Sequence, residues 1–180
     1  MTVGSPNMGF TEIPEGGCQK MNIDKGNKIC SMERGLLRSL LFTDLLQNSI
    51  SFASYFRPAD NKGEYLEKST FLPALNNEKP TDKSGQHKER ITQLNGLMLV
   101  QFEQDQIIFP HESETFGEIV KEGDNNKLLN LRDTEWFKSD QLGLKTLDDK
   151  KKLHLVSINA SHTEYSDKDL ENTFIPFLKT

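Results

Sequence analysis

Two side chains in this sequence stand where acid–base chemistry could occur. Asp105 follows the apolar run Leu97–Phe102, and His162 follows a second strand-like run, Leu153–Asn159. In an open α/β sheet, catalytic groups gather just beyond the carboxyl ends of the strands. A carboxylate there can hold an imidazole in one tautomer while the imidazole acts as a general base toward a hydroxyl. Asp105 and His162 are therefore the candidate catalytic acid and histidine.

The hydroxyl nucleophile of such a site has no visible source in the sequence. A nucleophile elbow requires Gly-x-Ser-x-Gly or a near variant on a tight strand-to-helix turn, and no such pattern precedes Asp105. Ser5 lies directly between Gly4 and Pro6, which does not fit the pattern. Three other serines lie in a predicted helix and lack the glycines: Ser49, Ser51 and Ser54. The sequence thus predicts an acid and a histidine without a nucleophile.

Two core strands and the helices between them must position these residues. Near-continuous apolar runs such as Leu97–Phe102 and Leu153–Asn159 are typical of parallel strands covered on both faces. The first residues, 1–3, predict the end of a short buried strand. Ser166 and Asp169 have the spacing of a capping box and predict the start of a final helix. Strands that alternate with helices indicate an α/β fold with a mostly parallel sheet.

The strongest helical pattern begins near Ser31 and continues to about Phe56, where the dipeptide Arg57-Pro58 ends it. A wide apolar stripe runs along it, formed by Leu36, Leu37, Leu40, Leu41, Leu45 and Leu46. Such a stripe is typical of a helix that faces the core. The alternative is a surface that holds an apolar ligand or partner.

Composition limits the possible partners. A net charge of −5 over 180 residues argues against nucleic acid, because phosphate binding needs clustered lysine and arginine. No apolar stretch reaches the roughly 18 to 20 residues of a membrane span. Residues 1–6 have neither the basic nor the apolar region of a signal peptide.

Two cysteines, Cys18 and Cys30, lie in a polar segment rich in glycine. No histidine or aspartate cluster completes a metal site around them, so no metal or cofactor is expected there. A disulfide that closes this short loop and a pair of free thiols are both consistent with the spacing.

Several segments resemble palmitoyl-protein thioesterases. In Leu97–Pro110, as in the family, an apolar strand is followed by Phe, two residues, the catalytic Asp and a turn rich in Ile and Val. Other segments are similar to the family in the same order along the chain: Val3–Gly9, Glu112–Phe116, Asp140–Lys145 and Phe174–Leu178. His162 falls where the family has its catalytic histidine.

The resemblance implies part of an α/β-hydrolase fold, namely the C-terminal strands of the sheet with a helical insertion. It divides a single domain over residues 1–180 into an insertion over 31–95, which lines an acyl groove, and acid- and histidine-bearing strands over 97–180. It implies a lysosomal hydrolase, independent of cofactors, that removes thioester-linked fatty acyl groups from S-acylated proteins. It also makes a disulfide between Cys18 and Cys30 the favoured reading.

The missing nucleophile leaves two functional hypotheses. In the first, the chain belongs to a thioesterase whose nucleophile-bearing half lies elsewhere, and these 180 residues alone are inactive. In the second, it is a non-catalytic homologue that binds acyl groups or is a remnant. With the first strands of the fold absent, we expect the isolated chain to be marginally stable, or to pair with a second chain. The glycosylation sequon Asn159-Ala160-Ser161 is expected to be unused, because a glycan there would crowd His162.

Overall fold

The computed structural model describes residues 1–12, 41–49 and 53–179. Its strands are β1 (Thr2–Val3), β2 (Leu97–Phe102), β3 (Glu118–Glu122), β4 (Asn125–Leu129) and β5 (Leu153–Ile158). Its α-helices are α1 (Asp44–Ser49), α2 (Lys62–Lys68), α3 (Leu72–Leu75), α4 (Ser84–Thr92), α5 (Glu135–Lys138), α6 (Leu144–Asp149), α7 (Asp167–Asp169) and α8 (Ile175–Leu178). Short 3₁₀-helices span Ala53–Tyr55, His111–Thr115 and Leu131–Asp133, and a π-helical turn, Leu170–Phe174, joins α7 to α8.

The central feature is a three-stranded parallel sheet in the order β1-β2-β5. β2 pairs with β5 along its whole length, from Leu97 opposite Leu153 to Phe102 opposite Ile158. β3 and β4 form a separate antiparallel hairpin. This mixed architecture confirms the prediction of a partial α/β-hydrolase fold with a parallel sheet.

Both faces of β2 are covered, which explains its unbroken apolar sequence. On one face Leu97 and Leu99 pack in a cluster with Leu147. On the other face Val100 packs with Phe174 from the C-terminal helical segment. Side chains alternate between the faces of a strand, so a strand covered on both sides needs apolar residues at successive positions.

The last helical segment begins as the sequence predicts. The Ser166 hydroxyl accepts a hydrogen bond from the Asp169 amide at 3.3 Å, and the Asp169 carboxylate accepts one from the Ser166 amide at 2.7 Å. These two bonds make the capping box that satisfies amides at the helix start. The segment then packs Phe174 against the sheet.

The predicted leucine stripe is only partly buried. Among the described residues of the predicted span, Asp44–Ser49 form α1 and Ala53–Tyr55 form a 3₁₀-helix, so the predicted α-helix does not extend to Phe56. Leu41 is 3% exposed, whereas Leu45 is 74% exposed, so the prediction of a stripe that faces the core throughout is wrong at Leu45. Leu36, Leu37, Leu40, Cys18 and Cys30 lie outside the described residues, as does the predicted disulfide.

β1 and β5 form the two edges of this sheet in the part of the chain that is described. The expectation of marginal stability or of a second chain stays a prediction. Within the same residues, no helix combines the length and apolar character that a membrane crossing requires.

A buried ion network joins the segment between β1 and β2 to the β3–β4 hairpin. The Arg57 guanidinium donates to Glu78 at 2.7 Å and also bonds the carboxylate of Glu118 on β3. The Tyr65 hydroxyl donates to Glu78 at 2.5 Å. Burial opposes the charge on Arg57, but Glu78 and Glu118 outweigh it and raise the pKa of Arg57. The network therefore fixes residues 57–78 against the hairpin by charge-assisted bonds.

Replacement of Arg57 should be strongly destabilising. Arg57→Met removes the guanidinium that bonds both buried carboxylates, although Lys62 remains 3.7 Å from Glu118. We expect the free energy of unfolding to fall by about 3 to 5 kcal/mol. Urea unfolding of the full chain measures this loss.

The matched control is Arg132→Met, which breaks the exposed ion pair of Arg132 with Asp148 at 2.7 Å. We expect that variant to lose no more than about 1 kcal/mol. Equal losses in the two variants would contradict the structural importance of the buried network.

Candidate functional site

The two sequence-predicted site residues meet beyond the carboxyl ends of adjacent strands. Asp105 lies in the loop after β2, and His162 lies in the loop after β5. The Nδ1 atom of His162 is 2.5 Å from Oδ2 of Asp105. The Asp105 side chain is fully buried, whereas that of His162 is 25% exposed. The structure thus brings the pair into direct hydrogen-bond contact.

Backbone hydrogen bonds hold the two loops together. The amide of Glu103 donates to the carbonyl of Ile158 at 2.9 Å, and that of Gln104 donates to Ala160 at 3.1 Å. The parallel pairing thereby continues past the ends of both strands. Since the loops share this register, Asp105 and His162 arrive at the same edge of the sheet.

The Asp105 side chain is held by its own loop as well. Its Oδ1 atom accepts hydrogen bonds from the amides of Ile107 at 2.6 Å and Ile108 at 3.1 Å. With Oδ1 occupied by these donors, Oδ2 is left to accept from His162. The local turn therefore sets the orientation of the carboxylate.

Gly4, just past β1, makes room for the imidazole. A β-carbon at Gly4 would lie 3.3 Å from Cε1 of His162 and 3.2 Å from the Phe102 ring. The φ angle of Gly4 is +58°, a left-handed conformation that favours glycine. Gly4, the residue that follows β1, is thus one of the residues that pack against His162.

The hydrogen bond through Nδ1 defines how His162 could act. With Nδ1–H donating to Asp105, the second ring nitrogen, Nε2, is the atom that can take or give a proton. Nε2 makes no hydrogen bond to any residue that the structure describes. This is the tautomer that general-base chemistry on a hydroxyl requires.

A third ionisable group, Glu114, completes the cluster and was not identified from the sequence. It lies on the 3₁₀-helix His111–Thr115, is fully buried, and accepts a hydrogen bond from the Phe102 amide at 2.7 Å. Its Oε1 atom is 3.8 Å from Nδ1 of His162. Glu114 lies in the segment Glu112–Phe116 that resembles the family, but no periodicity there marks which of its acids is buried.

The three groups shift one another's pKa values. The hydrogen bond to Asp105, followed by Glu114, raises the pKa of His162 to about 9, although burial opposes this. Burial acts to raise the pKa of Asp105, but hydrogen bonds from His162 and two backbone amides, together with the neighbouring Glu114 carboxyl, hold it well below its usual range. Burial raises the pKa of Glu114 to about 7. Asp105 is therefore the ionised partner of the histidine.

The same three side chains offer donor atoms within 4.8 Å of one another, a spacing that could suit a metal ion. A cation bound between Asp105 and His162 would sit about 2.0 to 2.2 Å from each donor atom and would hold the two donors well apart. The 2.5 Å contact between Oδ2 and Nδ1 is instead that of a direct hydrogen bond. The geometry favours an acid–histidine pair over a metal site.

An apolar cavity of about 320 Å³ lies between the sheet and residues 55–91. Its apolar lining comes from residues 55–91 (Tyr55, Leu72, Leu75 and Ile91), from β2 (Leu97 and Leu99) and from two residues of other segments, Phe116 and Leu142. Ser5 also lines it and is the chain neighbour of Gly4, which packs on His162. Among the described residues, no serine hydroxyl bonds His162, so no nucleophile is assembled there.

Removal of the carboxylate should lower the pKa of His162. We expect Asp105→Asn to reduce it by roughly 1 to 3 pH units, because the imidazolium loses its anionic partner. Nuclear magnetic resonance (NMR) titration of the His162 Cε1–H signal measures this, and Glu103→Gln in the same loop is the control. An unchanged His162 pKa in Asp105→Asn would contradict the pairing.

The pH dependence of stability follows from the same bond. Because folding raises the pKa of His162 from 6.5 to about 9, its contribution is complete below about pH 6.5 and is lost as pH rises through about 9. Asp105→Asn should weaken this loss of stability on the alkaline side. Thermal unfolding of both proteins between pH 6 and pH 10 provides the comparison.

Known proteins match this chain over most of its length. The family model described as palmitoyl protein thioesterase matches residues 1–162. Palmitoyl-protein thioesterase 1 of Caenorhabditis elegans is 29% identical over 149 residues, which cover 83% of this chain and 49% of the relative. A palmitoyl-protein thioesterase–dolichyl pyrophosphate phosphatase fusion of Schizosaccharomyces pombe is 31% identical over 180 residues, or 99% of this chain and 27% of the relative.

A further relative carries a cellular location in its name. Lysosomal thioesterase PPT2-B of Xenopus laevis is 31% identical over 109 residues, which cover 61% of this chain and 37% of the relative. The chain therefore spans about half the length, or less, of these curated relatives. Because the family model matches residues 1–162 of 180, the chain belongs to the palmitoyl protein thioesterase family.

Proposed function

We propose that this chain provides the acid and the histidine of a thioester hydrolase that removes fatty acyl groups from the cysteines of S-acylated proteins. The observation that carries the proposal is the 2.5 Å bond between the buried Asp105 carboxylate and Nδ1 of His162. The names of the relatives support the reaction and the acylated substrate. The lysosomal thioesterases among them support the lysosome as the cellular location.

The proposed reaction is acyl transfer through a serine, for which these 180 residues contain no Gly-x-Ser-x-Gly motif. His162 Nε2 would take the proton of that serine as its oxygen attacks the thioester carbonyl. It would then give the proton to the departing cysteine sulfur. A water molecule would then give a proton to Nε2 as it attacks the acyl-serine carbonyl. The serine oxygen would leave with that proton, which frees the fatty acid, and Asp105 would stabilise the imidazolium in both halves of the reaction.

We further propose that residues 31–95 act as the acyl-binding insertion. The support comes from its described part, where Leu72, Leu75 and Ile91 line the apolar cavity opposite the sheet residues Leu97 and Leu99. A volume of about 320 Å³ is within the range of small-molecule sites. This cavity also favours a second candidate function, in which the chain binds acyl groups without hydrolysing them.

A hydrolysis assay separates the two functions. We expect the purified 180-residue chain to give no turnover of a palmitoyl-cysteine thioester above the blank, because loss of a nucleophile costs roughly 10⁶-fold in rate. The variants Asp105→Ala and His162→Ala are assayed in parallel with the unmodified chain. Turnover that disappears in both variants would contradict this expectation and place a nucleophile within the chain, with Ser5→Ala as the next test.

A binding measurement tests the cavity. Leu75 is 44% exposed and lines the cavity, so Leu75→Gln should weaken binding of an S-hexadecyl-cysteine peptide by roughly fivefold, through lost apolar contact. The peptide carries a thioether that cannot be hydrolysed, and isothermal titration calorimetry measures its affinity.

The control variant is Leu128→Gln on β4. Leu128 is also 44% exposed but is not part of the cavity lining, so this variant should bind like the unmodified chain. Equal weakening in both variants, or no binding by the unmodified chain, would overturn the assignment of this cavity to the acyl chain.

A further inference from the structure

Glu114 is a buried acid for which the acid–histidine mechanism has no assigned role. Its side chain is fully buried beside the pair, and its Oε2 atom accepts the Phe102 amide at 2.7 Å. Its other oxygen, Oε1, is also buried and has no hydrogen-bond partner among the described residues. A buried polar atom without a partner costs free energy, so this oxygen needs a physical explanation.

The number of donors around each carboxyl decides where a proton resides. Asp105 accepts from His162 and from the amides of Ile107 and Ile108, whereas Glu114 accepts from the Phe102 amide alone. Two ionised carboxylates within 4.8 Å of one another in a buried site repel each other. Asp105, the carboxylate that accepts more hydrogen bonds, keeps the charge, and the proton goes to Glu114.

We propose that Glu114 is a positioning residue of the Asp105–His162 pair, in which a protonated carboxyl directs the O–H at Oε1 to the Asp105 carboxylate. The inference rests on the proposed function of that pair. It gives Oε1 the role of a donor and thereby satisfies the one oxygen of the cluster that lacks a bond.

This arrangement has two consequences for the histidine. The O–H from Glu114 adds a further donor to those that hold the Asp105 carboxylate with Oδ2 toward Nδ1 of His162. The imidazole also faces one negative charge instead of two, so the pKa of His162 is raised less than two adjacent anions would raise it. Burial of Glu114, which raises its pKa to about 7, is consistent with a neutral carboxyl below that pH. Asp105 and His162 are the titratable side chains of the described region that face it.

Two variants of similar volume test whether Glu114 acts as a neutral hydrogen-bond donor or as a second anion. Glu114→Gln keeps an oxygen for the Phe102 amide and offers an N–H to Asp105, whereas Glu114→Met offers neither. We expect the Nδ1–H resonance of His162 and its pKa in Glu114→Gln to match the unmodified chain. In Glu114→Met we expect the Nδ1–H resonance to broaden or shift and the His162 pKa to change.

Glu112→Gln is the matched control, since Glu112 lies on the same 3₁₀-helix but pairs with His111 at 3.2 Å. Equal changes in Glu114→Gln and Glu114→Met would overturn the proposal, because an anion would then be required. Unchanged spectra in both Glu114 variants would overturn it as well, since Glu114 would then not act on the pair.

A measurement on the unmodified chain keeps the test independent of variant folding. Carboxyl carbon NMR, with Glu114→Gln for assignment, should show Glu114 titrating well above the ordinary value of about 4.3 for glutamate. Titration at the ordinary value would overturn the proposal. None of these spectra requires turnover, so a failure of the hydrolysis proposal and a failure of this one are distinguishable.

Discussion

The parallel pairing of β2 with β5 is the constraint on which the candidate site depends. The pairing runs from Leu97 to Phe102 and continues through backbone bonds of Glu103 and Gln104 to the loop after β5. Because the strands are parallel, their carboxyl ends lie at one edge, and the two loops leave the sheet side by side. The 2.5 Å bond between Asp105 and His162 is a consequence of that register. A shift of one residue would turn every side chain of β5 to the opposite face and separate the pair.

The number of hydrogen-bond donors determines which of the two buried carboxyls beside His162 carries charge. Asp105 is buried but accepts several hydrogen bonds, so its charged form is stabilised and its pKa is lowered. Glu114 is equally inaccessible but has fewer donors, and burial raises its pKa. One acid of the cluster is thus ionised and the other protonated, because two backbone amides donate to Asp105 and one backbone amide donates to Glu114.

The parts of the fold that could be predicted are those in which a local pattern determines the structure. The apolar runs predicted β2 and β5, and the spacing of Ser166 and Asp169 predicted the capping box. Asp105 and His162 could be singled out because each follows a predicted strand. The alternation of strands and helices indicates a parallel sheet, in which the ends of such strands lie at one edge. Each of these inferences needs only neighbouring residues and one general rule of sheet topology.

The remaining features arise from contacts between distant residues. Glu114 and Gly4 join the site through a 3₁₀-helix and a strand end that are separated by more than 100 positions in the chain, and no local pattern marks either as a site residue. The exposure of Leu45 has the same origin, because helical periodicity describes one face of a helix but not what packs against it. The sequence predicts only that Arg57, beside Pro58, ends a helix, whereas in the structure its guanidinium is the centre of a buried ion network.

Binding of an acyl group and its hydrolysis depend on separate parts of this chain. The cavity requires only that residues 55–91 pack over the sheet, which the Arg57–Glu78–Glu118 network and the apolar lining provide. Hydrolysis requires in addition a hydroxyl at Nε2 of His162, and no described residue places one there. The cavity lining and the acid–histidine pair meet through the dipeptide Gly4-Ser5, where one residue packs on the imidazole and the next lines the cavity.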